Sequence, residues 1–331
     1  MSEVTTIRSL APGLLILVAI AALSRLTVGP IPGVSPLIVA IGVGALVANT
    51  VGVPAWAAPG LEQHKLLLET GIVLLGARLT LGELLDTGPT VLLLAAAVVT
   101  LGVLYVELLA GHVFQLRRRT GSLLAAGVSI CGVSAVLAVA GGIDVDEADV
   151  TYVVATILLF DAVTLAVFPP LAPVFGLTGK QFGVWAGLSL FSTGPVAAVG
   201  FAVSEAAGQW ATVTKLVRNA FIGVLAIGYA GHYAASAADS MDARQVWGRF
   251  PKFLFGFLSV AVLVNLFGIS AGTADLIDTV GDWLFTLAFV GLGFDIDLRS
   301  LRATGIKPVA LVLVHLVTVS ALTLAAVFIL L

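Results

Sequence analysis

Mostly apolar stretches of about 20 residues, the length that crosses a bilayer as a helix, follow one another along the whole chain. They lie at 11–28, 33–50, 64–80, 89–114, 121–141, 149–172, 181–204, 209–234, 248–268, 275–295 and 308–331. The pattern predicts an all-α polytopic fold with about eleven transmembrane helices. The third and tenth stretches run into the charged ends "ARLTLGELLD" and "FDIDLRSLR", which leaves an even count open. The first stretch is followed by further spans and not by a small-residue cleavage site, so it reads as a helix that stays.

Basic residues test the order of the loops, because Lys and Arg accumulate on the cytoplasmic side. With the N-terminus inside, the inner segments hold Arg8, Lys65, Arg117, Arg118, Arg119, Lys180, Arg244, Arg249, Lys252, Arg299, Arg302 and Lys307. The outer helix ends hold only Arg25 and Arg78, and the carboxylate-rich loop at 141–150 also falls outside. The reading is one transmembrane domain over 1–331, N-terminus inside and C-terminus outside. Aligned without gaps, 67–88 and 284–305 share eight identities in 22 positions, among them Gly76/Gly293 and Gly88/Gly305. These are the third and tenth helices, which would point opposite ways as inverted repeats do. Shared leucine-rich composition explains the match equally well, and a plain duplication would pair the fifth helix with the tenth.

Composition agrees with the pattern. Of the 331 residues 59% are hydrophobic and 11% charged, and a mean hydropathy of +1.12 lies outside the soluble globular range. A single cysteine, Cys131, excludes a disulfide framework and a cysteine-rich metal site. The net charge of −3 and the lack of a basic stripe with interleaved aromatics argue against a nucleic-acid partner. No P-loop, zinc pattern, nucleophile elbow or dinucleotide fingerprint is present. Neither a cofactor nor nucleotide-driven transport is therefore expected, beyond coupling to H⁺ or Na⁺. A homo-oligomer is left open.

Ionisable groups at bilayer depth cost at least about 2.5–3.5 kcal/mol each and so tend to mark function. Asp161, in "ILLFDAVTLAV", lies near the centre of the sixth helix. It is either a coupling group or a neutral Asp that packs two helices. Lys215, Arg218 and Asn219 share one face of the eighth helix, since residues three and four apart are neighbours. Arginine's planar fork suits oxyanions, so this face is a candidate anion site. Against that, Lys215 could snorkel to the outer surface and Arg218 could simply neutralise Asp161. Glu69, in the third helix, either carries a proton or ion or pairs with Arg78. Asp295 and Asp297 read as a solvated turn beside Arg299, and His315 as a hydrogen-bonded core histidine.

Two stretches place small and hydroxyl residues where lipid-facing helices favour leucine: "GVSICGVSAV" at 127–136 and "GLSLFSTGPVAAVG" at 187–200. Unpaired backbone at that depth is tolerated only where protein buries it or it lines a cavity. In transporters, discontinuous helices turn amide dipoles towards anions there. Ser129, Cys131, Gly132, Ser134, Ser192 and Thr193 are thus candidate substrate contacts. Tight helix packing through small residues is the alternative, and it explains the glycines better than the hydroxyls.

Taken in order, "GIVLLGARLTLGELL", "GVSICGVSAVLAVA", "FGVWAGLSLFSTGPVAAVGFAVSEAAGQWATVTKLVRN", "FPKFLFGFLSVAVLVNLFG" and "TLAFVGLGFDIDLRSLRATG" resemble the YeiH family, labelled as sulfate exporters. The resemblance covers about residue 30 to the end. It is similar in turn to the cation/proton antiporter and anion transporter superfamily, which implies inverted repeats and two broken helices crossing near the membrane centre. Where the family shows His-Asp-Thr-Ala-Gln, this chain has Phe191, Ser192, Thr193, Gly194 and Pro195. Only the threonine is kept, so a proton-coupling role for that His/Asp pair does not carry over.

The expected function is a secondary active transporter that exports a small anion, sulfate-like, across the cytoplasmic membrane. The substrate contacts would be Ser129, Cys131, Gly132, Ser134, Ser192, Thr193, Lys215, Arg218 and Asn219, with Asp161 or Glu69 as the coupling group. The alternatives are a cation/proton antiporter working through Asp161, a membrane-embedded enzyme, and a non-transporting scaffold or sensor.

Overall fold

The computed structural model describes residues 3–28, 35–233, 252–296 and 305–331. Arg244, Arg249, Asp297, Arg299 and Arg302, and the part of the repeat match at 297–304, lie outside the described residues. Along the chain run α1 (Glu3–Val28), α2 (Pro36–Thr50), α3 (His64–Leu75), α4 (Leu81–Leu108), α5 (Arg118–Ala126), α6 (Val133–Ala140) and α7 (Glu147–Val174). They are followed by α8 (Gly179–Ser189), α9 (Thr193–Val203), α10 (Glu205–Asn219), α11 (Ile222–Tyr233), α12 (Phe253–Phe267), α13 (Ala271–Phe294) and α14 (Ile306–Leu330). No strand occurs among the described residues.

Among the described residues six segments are long and apolar enough to cross a membrane: Ser9–Thr27, Leu85–Val113, Glu147–Val174, Glu205–Tyr233, Ala271–Phe294 and Ile306–Leu330. Shorter apolar helices lie at Pro36–Thr50, Thr193–Val203 and Phe253–Phe267. Leu26, Leu93, Val224 and Phe267 are exposed, as expected of side chains whose solvent is lipid. The chain is a multi-pass membrane protein that divides into two compact units, 1–86 with 252–298, and 87–251 with 299–331.

The first unit is held by close helix crossings. Apolar burial gives no drive between helices in lipid, so small residues that let backbones approach take its place. A Cβ on Gly44 of α2 would collide with the Val290 carbonyl, and one on Gly293 of α13 with the Ile41 carbonyl. Substituting Gly293→Ala is expected to cost about 1–3 kcal/mol through this overpacking. An unchanged melting temperature in detergent would show instead that the two helices can part. Helices α3 and α13 run antiparallel, with Gly71 facing Leu284 and Phe285 and His64 facing Gly291. His64 Nε2 lies 3.2 Å from Asp295 Oδ2, so Asp295 pairs with a buried histidine and is not merely a solvated turn. Arg78 binds Asp278 and Asp282 at 2.6 and 3.4 Å.

The second unit corrects the expected topology. The stretches at 121–141 and 181–204 are not single continuous helices but fold back on themselves. In the first, a Cβ on Gly127 would stand 2.8 Å from Val136, a separation that a continuous helix would not allow. Its outer ends are tied by Arg117 to Asp146 (3.3 Å) and Arg119 to Asp144 (3.1 Å). Helices α5 and α6 thus form a hairpin. Helices α8 and α9 form another, since a Cβ on Gly179 would meet Ser204 Oγ at 2.8 Å. The broken helices are therefore two hairpins, not two crossing rods, and Arg117–119 and the loop at 141–150 lie on the same face. Hydropathy measures apolar length and is blind to a reversal of direction. Helix α7, with 28 residues, is about 42 Å long at 1.5 Å per residue. It leaves one hairpin at Glu147 and reaches the other at Val174, so the hairpins enter from opposite ends of α7.

Candidate functional site

Both hairpin tips leave regular helix geometry. The first runs through a π-turn at Gly127–Cys131 into Gly132, whose φ of 65° and ψ of −131° suit glycine alone. The second reverses through Leu190 and Ser192, both extended. The tips meet, because a Cβ on Gly132 would collide with Ser192 Oγ. Gly132→Ala therefore combines backbone strain with a clash and is expected to cost at least about 1–3 kcal/mol. Thermal unfolding of that variant at the wild-type temperature would show that the tip accepts another conformation.

Where α5 and α8 end, their last carbonyls carry the negative end of the helix dipole. Two cations from α10 meet them. Lys215 Nζ donates to the carbonyls of Ile130 (2.6 Å) and Leu190 (2.9 Å). Arg218 Nη1 donates to those of Gly187, Leu188 and Leu190 at 2.8, 2.7 and 2.8 Å. Its Nη2 donates to Val128 and Ser129 at 3.2 and 2.9 Å. Both side chains are fully buried, which rules out the alternative that Lys215 snorkels to the outer surface. The close approach of α10 to α8 rests on Gly183 and Gly187, where a Cβ would run into Trp210 (2.8 Å) and Thr214 (2.6 Å).

Where α9 begins, the charge has the opposite sign. Ser192 N donates to Asp161 Oδ1 at 3.2 Å, and Ser192 Oγ donates to Oδ2. Asp161 is 4% exposed. Its carboxylate sits at the positive end of a half-helix, where an anion is favoured. Lys215 is near enough to act on it electrostatically, and no ion pair joins Asp161 to Arg218 among the described residues. Beside it, Asn219 Nδ2 donates to Thr193 Oγ1 at 3.0 Å, while Asn219 Oδ1 has no partner among the described residues.

The structure brings Ser129, Cys131, Gly132, Asp161, Ser192, Thr193, Lys215, Arg218 and Asn219 together around the two tips. Cys131 is a buried free thiol within hydrogen-bonding reach of Ser134, whereas Ser134 itself is exposed. Glu69 belongs to the first unit, on α3, and is half-buried. Phe191 and Ser192 occupy the positions where the resemblance implies His and Asp. The ring of His315 lies 6.1 Å from that of Phe191, and Asp161 supplies the carboxylate at Ser192. His315 is not the hydrogen-bonded core histidine expected, since neither ring nitrogen has a partner among the described residues.

Two features escape sequence reading. The carbonyls gathered by Arg218 leave no trace in residue types. Glu107, whose Oε1 accepts from Ser122 and Tyr229 at 2.6 Å each, did carry a signal, as an ionisable residue inside the stretch at 89–114.

A family profile described as Conserved hypothetical protein 698 matches residues 12–312. Among similar proteins, a UPF0324 membrane protein of Nitratidesulfovibrio vulgaris is 31% identical over 89% of this chain and 86% of its own length. One from Corynebacterium glutamicum is 32% identical over 95% and 91%. The UPF0324 membrane protein TauZ of Paracoccus pantotrophus is 29% identical over 78% of each chain. No solved structure matches.

Proposed function

The chain belongs to the Conserved hypothetical protein 698 family, the YeiH-like UPF0324 membrane proteins, and from that premise we propose that it is a secondary active transporter exporting a small oxyanion such as sulfate or sulfite. The substrate leaves the plasma membrane chemically unchanged, and no cofactor takes part. The observation that carries this reading is the Ser192–Asp161 contact at the start of α9. An anion-favouring half-helix terminus lies at bilayer depth, and a carboxylate of the protein already occupies it. An incoming oxyanion competes with Asp161 for the same donors. Two like charges at one terminus repel, so oxyanion binding favours a protonated Asp161. Export is thereby linked to a proton, and Asp161 is preferred to Glu69 as the coupling group because it touches the site.

In this reading nine of the eleven apolar stretches cross, the N-terminus is inside and the C-terminus outside. Each hairpin with the long helix that follows it, α5 to α7 and α8 to α11, is one half of an inverted pair. A cation/proton antiporter is the second reading. It is favoured by one observation: Asn219 Oδ1 has no partner among the described residues, and Asn219 holds Thr193, the neighbour of the Ser192 that binds Asp161.

Uptake of radiolabelled sulfate and sulfite into inside-out proteoliposomes, under an imposed pH or Na⁺ gradient, separates the two. Saturable uptake with the substrate recovered intact supports the exporter. No uptake of either anion by folded protein under any gradient overturns it and favours cation exchange at Asp161.

A further inference from the structure

Glu107 lies inside the apolar segment Leu85–Val113, less than two helical turns from its end, and takes no part in the site at the hairpin tips. Ionisable groups within a span are costly and usually mark function. Its helix passes directly into a π-turn at Leu109–Val113, a distortion that recurs at functional sites. The side chain is half-buried, and three helices meet at it.

Ser122 Oγ of α5 and Tyr229 Oη of α11 both donate to Glu107 Oε1 at 2.6 Å. A hydroxyl has one hydrogen. That of Ser122 goes to Glu107, the shorter of its two carbonyl-type contacts, since the Arg118 carbonyl stands at 3.1 Å. Tyr233 is therefore the donor in its 2.9 Å contact with Ser122. The hydroxyls of two tyrosines and a serine thus run towards one carboxylate oxygen. The other, Oε2, accepts no hydrogen bond among the described residues. Close approach of α5 rests on Gly121, where a Cβ would stand 2.9 Å from Ala110.

No cation balances this carboxylate among the described residues. On α5, Arg118 and Arg119 are exposed. Arg119 pairs with Asp144 at 3.1 Å and lies 5.9 Å over the Tyr233 ring. On α11, His232 is exposed and stands edge-on to Tyr233. On Glu107's own segment, Tyr105 turns to Thr318 and His112 is exposed.

We propose that Glu107 is a proton-carrying carboxylate at the entry of the first hairpin, separate from Asp161, and that a proton on Oε2 loosens α5 from α4 and α11. Ionised, the carboxylate holds Ser122 and Tyr229 through charge-assisted hydrogen bonds, roughly twice as strong as neutral ones. When water delivers a proton to Oε2, Oε1 becomes a neutral carbonyl oxygen and both bonds weaken. The arm that carries the hairpin tip is then held less firmly. Nothing in this depends on what the protein carries, so it stands apart from the anion-transport reading.

The test uses the purified full-length protein in detergent, wild type beside Glu107→Gln, over a range of pH. Infrared difference spectra follow protonated carboxyl groups, and mass spectrometry follows hydrogen–deuterium exchange in 118–126. Comparing the two proteins at each pH removes the chemical dependence of exchange on pH. Wild type is expected to show a protonated-carboxyl band on acidification that Glu107→Gln lacks. Exchange in 118–126 should be about five-fold or more faster in Glu107→Gln while Glu107 is ionised, and the ratio should fall towards one as the band appears. Should Glu107→Gln fail to fold, Tyr229→Phe decides, because losing a donor to Oε1 should move the band. The same bands in wild type and Glu107→Gln, or an unmoved band in Tyr229→Phe, overturn the proton site. A difference in exchange that does not vary with pH makes Glu107 a structural tie and overturns its control of α5.

Discussion

Arg218→Gln is expected to unfold the second unit, not merely to slow transport. The guanidinium serves five carbonyls drawn from both hairpin tips, and it is fully buried. Removing one partner from a buried, hydrogen-bonded charge network costs about 3–5 kcal/mol, a large share of the 5–15 kcal/mol that holds a typical domain. Glutamine is shorter and brings fewer donors, so most of the carbonyls would be left bare in a region that water does not reach. Arg218→Lys keeps the charge without the planar fork and should fall between. Melting temperatures in detergent check this. A Gln variant that melts with wild type would mean that the tips are held by something other than Arg218.

Asp161→Asn should do the opposite, leaving the fold in place and removing the proton coupling of transport. The asparagine matches the carboxylate in shape and can still accept from Ser192. What it loses is charge on two hydrogen bonds. Hydrogen bonds to charged groups contribute about 1.5–3 kcal/mol each, against about 0.5–1.5 kcal/mol for neutral ones, so the cost to the fold should be smaller than that of Arg218→Gln. Uptake should continue but lose its response to a pH gradient, because asparagine, like the protonated carboxyl, neither repels the oxyanion nor takes up a proton, and the melting temperature should fall by less than in Arg218→Gln. Wild-type rates that keep the same pH response would make Asp161 a structural carboxylate.

Much of the site could be read from residue types and depth, and much of its geometry could not. Gly127, Gly132, Ser129 and Ser192 stand out because lipid-facing helices have no use for them, and both breaks occur where they lie. Asp161 stands out because its side chain is too short to reach water from mid-membrane. That each break reverses the chain is invisible, since a hairpin and a rod of the same length have the same hydropathy. Alternation of basic loops fails at 141–150 for the same reason, because the rule assumes that every apolar stretch crosses. Lys215 and Arg218 were legible as one face by their three-residue spacing. Their partners are backbone carbonyls, which every residue carries, so the sequence points to an oxyanion where the fold supplies helix C-termini. The lone carboxylate Glu69 looked equivalent to Asp161 in a list of buried charges. What separates them is contact with a hairpin tip.

The central claim is that an oxyanion and the Asp161 carboxylate compete for the start of α9. Its most direct test follows proton exchange in weakly buffered detergent solution as sulfite or sulfate is added to the purified protein. The account predicts proton uptake on oxyanion binding by wild type and none by Asp161→Asn. Oxyanion binding without proton uptake by wild type, or the same uptake by both proteins, would contradict it.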